Sequence, residues 1–287
     1  MQTDEVLGLL KDVADEVINP RFRALADGEI HEKRPGDLVT DADREAEVLI
    51  TAALLAAYPD AVVLGEETFA GDPSLMGRYA VAEHAFTVDP VDGTKNFVHG
   101  SKDHAVMVAE TVGGEAVRAW IWQPQHELGY VAERGGGTWR HDAAGTHRLE
   151  VPAAGSADGS ADGSAEGSGD DGPRGGLSDG LRGRTSRRAW IGRALEGFEP
   201  LTLTWVSCGI DYPKLVEGEA DYVLYGSAAP WDHVPGSLLL AEAGGLLGTT
   251  AGEVYSPRDT APPGLIAAGS EAAYRAVCRA LAASDLG

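Results

Sequence analysis

Two apolar runs in this chain end directly on carboxylates. AVVLG, at residues 61–65, is followed by Glu66 and Glu67, and FTV, at residues 86–88, by Asp89 and then Asp92. Short apolar runs bounded by Pro, Asp and Gly read as strands. Pro90 and Gly93 turn the chain immediately after the second strand, which can place Asp89 and Asp92 around one point. Three or four ionised carboxylates meeting there repel one another unless a cation neutralises them. Oxygen ligands without neighbouring His or Cys select a hard ion, Mg²⁺ first and Mn²⁺ second. An ordinary Asx-rich turn accounts for DPVDGT equally well when that segment is taken alone.

The next residues add an anion cradle. Gly93 lets the backbone approach a ligand, and a helix starting near Thr94 offers free N–H groups to an anion. Metal beside an anion site is what phosphoryl transfer requires, with two ions roughly 3.5–4 Å apart serving water and leaving oxygen. A third acidic element, Asp232 in WDHVPGSLLLAEAGG, is either a further ligand or a helix N-cap.

Around these motifs the pattern is helical first and stranded second. Val6, Leu9, Leu10, Val13, Val17 and Ile18 mark an opening helix of about six turns. After a loop over 28–37, Thr40 or Asp41 caps a second helix that stops before Pro59. AVVLG, AFTV, AVMVAE, AVRAWIW and ELGYVAE follow as strands, predicting helices on an antiparallel or mixed sheet, an α+β class. Residues 152–180 hold six acids, one Arg and almost nothing to bury, which reads as a disordered surface insertion. The expected division is therefore a lobe over 1–150, an insertion over 151–181 and a lobe over 182–287. In the last lobe we expect a helix over Tyr212–Glu217, a strand DYVLY, a helix Trp231–Ala243, a strand near 264–268 and a terminal helix from Ser270. Arg182, Arg184, Arg187 and Arg188 form the one basic run, read as a solvated helix start or a phosphate contact.

With 23 Lys+Arg against 45 Asp+Glu the net charge is −22, which disfavours nucleic-acid polymers as partners. No run of apolar residues is long enough to span a membrane, and the acidic N-terminus lacks the order of a secretion signal. Two cysteines suit a reducing compartment, so a cytoplasmic location is expected.

GEE at 65–67, DPVDGTKNFVHG at 89–100 and WDHVPGSLLLAEAGG at 231–245, with DLVTDAD at 37–43 and SCGID at 207–211, resemble the inositol monophosphatase family of Mg²⁺-dependent, lithium-sensitive phosphatases. The resemblance spans nearly the whole chain outside the insertion. It implies a layered α/β/α/β/α sandwich of the inositol monophosphatase/sugar phosphatase type, a homodimer, and two or three Mg²⁺ ions. By motif, Glu66, Asp89 and the Val91 carbonyl resemble the ligands of the first ion, and Asp89, Asp92 and Asp232 those of the second. Glu66 would also hold a weaker third. Thr94 and Asp43 resemble the pair that orients and deprotonates water, and Gly93 and Thr94 the phosphate receivers. From the residues alone, Asp43 serves equally as the first-turn acid of its helix.

The chain departs from the family at His233, Val234 and Pro235, where small residues are usual, and at Tyr225, which stands where a Glu holds a substrate hydroxyl. Tyr225 can make one hydrogen bond or stack, or simply close its strand. Asp211 is read as a substrate-hydroxyl contact or a helix cap, Trp231 as a pocket wall, Trp120 and Trp122 as packing, and Lys95 and Lys102 as cations near the phosphate or solvated surface charge. The leading expectation is metal-dependent hydrolysis of a small phosphate monoester of an inositol, sugar or polyol. Histidinol phosphate and 3′-phosphoadenosine 5′-phosphate are alternative substrates, and a non-catalytic metal or phosphate sensor is the alternative of another class.

Overall fold

The computed structural model describes residues 1–26, 28–152, 180–284 and 286; most of the acidic segment expected as an insertion lies outside the described residues. Helix α1 (Thr3–Val13) continues through a π-helical turn at Ala14–Ile18 and a 3-10 turn at Asn19–Arg21, so the opening helical run is about as long as its periodicity suggests. The segment expected as a loop is instead a hairpin, β1 (Ile30–Arg34) and β2 (Asp37–Thr40), closed by Pro35 and Gly36. Pro then Gly is the residue pair a tight turn favours. Thr40 caps α2 (Asp41–Ala57) in a capping box with Asp43.

There follow β3 (Val62–Gly65), α3 (Glu66–Gly71), α4 (Leu75–Val81), β4 (His84–Asp92), α5 (Thr94–Val98), β5 (Ala105–Val112), β6 (Glu115–Gln123), β7 (Leu128–Glu133), β8 (Gly137–Asp142) and β9 (Gly145–Leu149). β3 to β9 form one seven-stranded sheet in chain order, with β3 parallel to β4 and every other neighbour antiparallel. The remainder supplies β10 (Gly183–Thr185), β11 (Thr202–Leu203), α6 (Cys208–Val216), β12 (Tyr222–Tyr225), α7 (Pro230–Glu242), β13 (Leu246–Thr249), β14 (Leu265–Ala268) and α8 (Glu271–Ala282). Its five strands are ordered β11-β10-β12-β14-β13.

Alternation along β5 sets the layers. Val106 and Val108 face α1 and α2, packing with Leu10, Ile50, Phe86 and Trp120. Ala105, Met107 and Ala109 face the other way, against Tyr212, Leu215, Val234 and Leu238 of α6 and α7. Small residues on that face let the two helices lie close to the sheet. Val223, Tyr225, Leu265 and Ala267 cover α6 and α7 from the second sheet, and α8 closes its far side through Tyr274 and Val277. The result is the expected α/β/α/β/α sandwich. Among the described residues no helix is long and apolar enough to cross a membrane.

Several local expectations are corrected. The basic run opens only a 3-10 turn at Arg188–Trp190, and Arg184 instead lies within β10, its guanidinium 3.4 Å from the Trp205 ring centroid. Helix α6 begins four residues earlier than expected, capped by Ser207, so Asp211 sits inside it and caps nothing. Pro235, whose missing N–H the sequence places in the tolerant first turn, lies beyond that turn of α7, whose N-cap is Ala229, so it removes a backbone bond to the Trp231 carbonyl. Trp231 packs on Phe69 with ring centroids 5.1 Å apart and lies among Leu64, Leu75 and Tyr79 rather than in a pocket wall.

His104 gives the fold a pH dependence. It is 1% exposed between Phe22 and Phe97, its Nδ1–H donates to the Ser101 carbonyl, and burial holds its pKa down to about 4. A histidine in the unfolded chain titrates near 6.5, so between about 6.5 and 4 the unfolded state binds the extra proton. The contribution is intact above the upper value and lost as pH falls through the lower one. Urea unfolding across this window should show a shallower pH slope in His104→Phe than in the parent; equal slopes would refute the assignment.

Candidate metal and phosphate centre

Two aspartates three apart on a regular strand point to opposite faces. In β4 they do not, because the strand bulges: Asp89 pairs with Met107 and Asp92 with Ala105, three steps against two. Met107 and Ala105 share the inner face, so the additional residue brings both carboxylates to that side. The chain continues extended through Pro90 and turns only at Gly93, later than the sequence suggests. Gly93 has φ 84° and lies against Ser207, where a Cβ would come within 2.9 Å of the Ser207 Cβ.

Asp232, in the first turn of α7, completes the group. Carboxylate oxygens of Asp89, Asp92 and Asp232 all lie within 4.8 Å of one another. Asp92 accepts from the Ser207 hydroxyl, from the Cys208 N–H at 3.1 Å and from the Gly209 N–H at 2.7 Å. Asp89 Oδ1 is buried without a hydrogen-bond partner. Burial raises the pKa of all three, and the neighbouring carboxylates, Glu66 among them, push Asp89 and Asp232 up further. An orphaned carboxylate oxygen among oxygen donors is what a hard divalent cation satisfies, so the residues present fit Mg²⁺.

Glu66 and Glu67 begin α3 and are set by two residues the motifs did not single out. Glu47 of α2 accepts from the N–H of Glu67 at 2.7 Å, from the N–H of Thr68 at 2.8 Å and from the Thr68 hydroxyl. Its carboxylate lies so close to Gly65 that a Cβ there would meet it at 2.3 Å. Lys33, from β1, donates to Glu66 at 2.6 Å and to Glu67 at 2.8 Å. Glu47 was visible as an acid one turn after Asp43 on the buried stripe with Ala46 and Ile50. Lys33 was hidden by reading its hairpin as a loop.

Asp43 is fully buried and divides its two oxygens between neighbours. Oδ2 accepts from the Thr40 N–H at 2.9 Å and the Thr40 hydroxyl at 2.5 Å, whereas Oδ1 lies 3.0 Å from the Thr94 hydroxyl. That hydroxyl is also 3.1 Å from the Val91 carbonyl. Burial raises Asp43 to about 7, with Thr40 opposing the rise and the charges of Glu66 and Glu67 adding to it. Asp43 is therefore both the capping acid of α2 and a partner of Thr94.

A cleft of about 280 Å³ opens beside Asp92 and Asp232, with Lys95, Arg188, Asp211 and Tyr225 in its lining. Lys102 is exposed and outside it. Asp211 accepts from the Trp205 N–H at 2.7 Å, and burial raises its pKa well above the usual range. Tyr225 stacks on Tyr212 and meets His233 edge-on, and a hydrogen bond from its hydroxyl opposes the rise at Asp211. The segment entering α6 holds Val206 at φ 63°, a strained conformation for a β-branched residue, next to the donors on Asp92.

A family model described as "Inositol monophosphatase family" matches residues 2–286. Inositol-1-monophosphatase of Rhizobium meliloti is 34% identical over 213 residues, covering 74% of this chain and 72% of that protein. Nus factor SuhB of Pseudomonas aeruginosa is 30% identical over 250 residues, covering 86% and 84%. A crystal structure of an IMPase/NADP phosphatase complexed with Mg²⁺ and phosphate superposes with TM-score 0.75 at 20% identity, over 98% of this chain and 95% of that one.

The clamp on α3 is open to test. Glu47→Ala strips the acceptor from two helix N–H groups and a hydroxyl, and we expect a loss of about 2–4 kcal/mol in chemical unfolding. A change under about 0.5 kcal/mol would mean the clamp contributes no stability.

Proposed function

The chain belongs to the inositol monophosphatase family and is a phosphomonoesterase, and from that premise we propose that it hydrolyses a small phosphate monoester by direct attack of water in a Mg²⁺-dependent reaction. The observation that carries this reading is the convergence of Asp89, Asp92 and Asp232 around an unpartnered carboxylate oxygen, a few residues from the Asp43–Thr94 pair. Glu66, Asp89, the Val91 carbonyl, Asp92 and Asp232 would hold two or three ions, Mn²⁺ serving in place of Mg²⁺. Bound there, the metal supplies neutralising charge, a more acidic water and stabilisation of the leaving oxygen.

The chain's own groups do the rest. Thr94 has one hydroxyl proton and two acceptors within reach, and the Asp43 carboxylate is the stronger. Thr94 then accepts a proton from the attacking water while passing its own to Asp43 Oδ1. The water oxygen bonds to phosphorus, the ester oxygen departs, and that oxygen takes a proton from solvent. The N–H groups at Gly93 and Thr94, at the start of α5, receive the phosphate. Asp211 and Tyr225 contact the alcohol part, and Lys95 and Arg188 bring positive charge to an otherwise acidic surface.

A single hydrogen bond from Tyr225 fits an inositol, sugar or polyol phosphate less exactingly than a carboxylate does, so we also keep histidinol phosphate and 3′-phosphoadenosine 5′-phosphate as substrates. The test is phosphate release across these compounds with Mg²⁺ and with chelator. A substrate preferred in kcat/KM assigns the specificity. Stabilisation by Mg²⁺ without release from any of them would replace hydrolysis with a non-catalytic sensor of metal or phosphate ligands.

Two variants separate the roles. Asp43→Asn should lower kcat by about 10²–10⁴ while the rise in melting temperature on adding Mg²⁺ persists. An unchanged rate would remove Asp43 from the proton path. Asp89→Asn relieves repulsion, so it should raise the melting temperature of the metal-free protein and abolish the rise with Mg²⁺. Retention of that rise would place the ion elsewhere.

A further inference from the structure

A second set of ligands shares Asp232. The ligand atoms of Cys208, Asp232 and His233 all lie within 4.8 Å of one another, and Cys208 and Asp232 both line the cleft that leads to them. Their chemistry differs from that of the carboxylate group: a thiol, an imidazole and one carboxylate form a donor set that Mg²⁺ disfavours and that Zn²⁺ or Cd²⁺ favours.

His233 is arranged as metal-bound histidines are. Its Nε2–H donates to the Ser227 carbonyl at 3.0 Å, which fixes the tautomer and leaves the lone pair on Nδ1. That bond from the second ring nitrogen to a carbonyl is the usual support behind a ligating imidazole. The Nδ1 lone pair accepts from the Tyr212 hydroxyl at 2.9 Å. Coordination through Nδ1 requires the buried Tyr212 hydroxyl to give up this bond. The Tyr225 ring packs edge-on at 4.7 Å from the imidazole centroid, and Tyr225 lines the same cleft.

We propose that Cys208, Asp232 and His233 form a site for a soft or borderline divalent cation, Zn²⁺ or Cd²⁺, separate from the oxygen-donor group but sharing Asp232 with it. Binding forms the sulfur–metal bond as the thiol proton leaves to solvent, and water completes the coordination. Because Asp232 belongs to both sets, a cation at the thiol draws on a carboxylate that the Mg²⁺ group needs. Such an ion therefore lowers Mg²⁺ affinity by competing for Asp232.

The test uses the full chain and Cd²⁺, whose bond to a thiolate absorbs in the ultraviolet. Titration of the parent should give one thiolate absorption band that saturates at one equivalent. Cys278→Ser should keep the band and Cys208→Ser should lose it, with far-ultraviolet circular dichroism unchanged in both. His233→Gln should weaken Cd²⁺ binding at least tenfold; if that variant does not fold, the cysteine pair alone decides. A band that survives in Cys208→Ser, or its absence from the parent, overturns the site, as does His233→Gln that folds and binds Cd²⁺ as tightly as the parent. The band reports sulfur coordination only, so failure of the phosphatase reading leaves this result standing.

Discussion

Mutual repulsion among Asp89, Asp92 and Asp232 is the cost around which the rest of the molecule is arranged. Each acid meets it differently. Asp92 is offset by three donors entering α6, Asp232 sits in the first turn of α7 where the helix end is positive, and Glu66 is held by Lys33. Asp89 Oδ1 is buried with no compensating donor among the described residues. The outer members of the group thus have compensating charge or donors, and Asp89 keeps a buried oxygen without one. Metal affinity and metal-free stability are opposed in such a design, since any change that relieves Asp89 also removes the reason to bind.

The α+β class was legible because alternation in the strands and the 3.6-residue stripes in α1 and α2 are local signals, whereas the order of the layers came from the family resemblance. The site motifs were legible for the same reason, each being carried by consecutive residues. What escaped was geometry that needs a partner. Nothing within DPVDGT states that β4 bulges; the register with Met107 and Ala105 does. The GTWRHD and GTHRL segments formed β8 and β9, which a search for apolar runs passes over because their exposed residues are polar. Lys33 and Glu47 act only because β1 and α2 meet α3 in space. The early start of α6 accompanies the bonds from Ser207, Cys208 and Gly209 to Asp92, which only the folded structure brings within reach.

The departures from family pattern collect on one side of the centre. Tyr225, His233 and Tyr212 form a buried aromatic cluster joined by a hydrogen bond, in place of a single hydroxyl-binding carboxylate. The carboxylate group itself contains none of these replacements. The aromatic cluster nevertheless adjoins that group, because α7 carries both His233 and Asp232.

The donors on Asp92 come from far along the chain, with 117 residues separating it from Gly209. In a protein emerging from the ribosome, β4 and its neighbours are complete long before α6 exists. The inner face of the sheet, with Ala105 and Met107 beside two uncapped aspartates, must then wait in water, because sealing it would bury charge without donors. The early hairpins can pair but cannot close. Commitment to the folded state thus falls to the last third of the polypeptide, which makes the slowest-arriving segment the one that decides whether the molecule assembles.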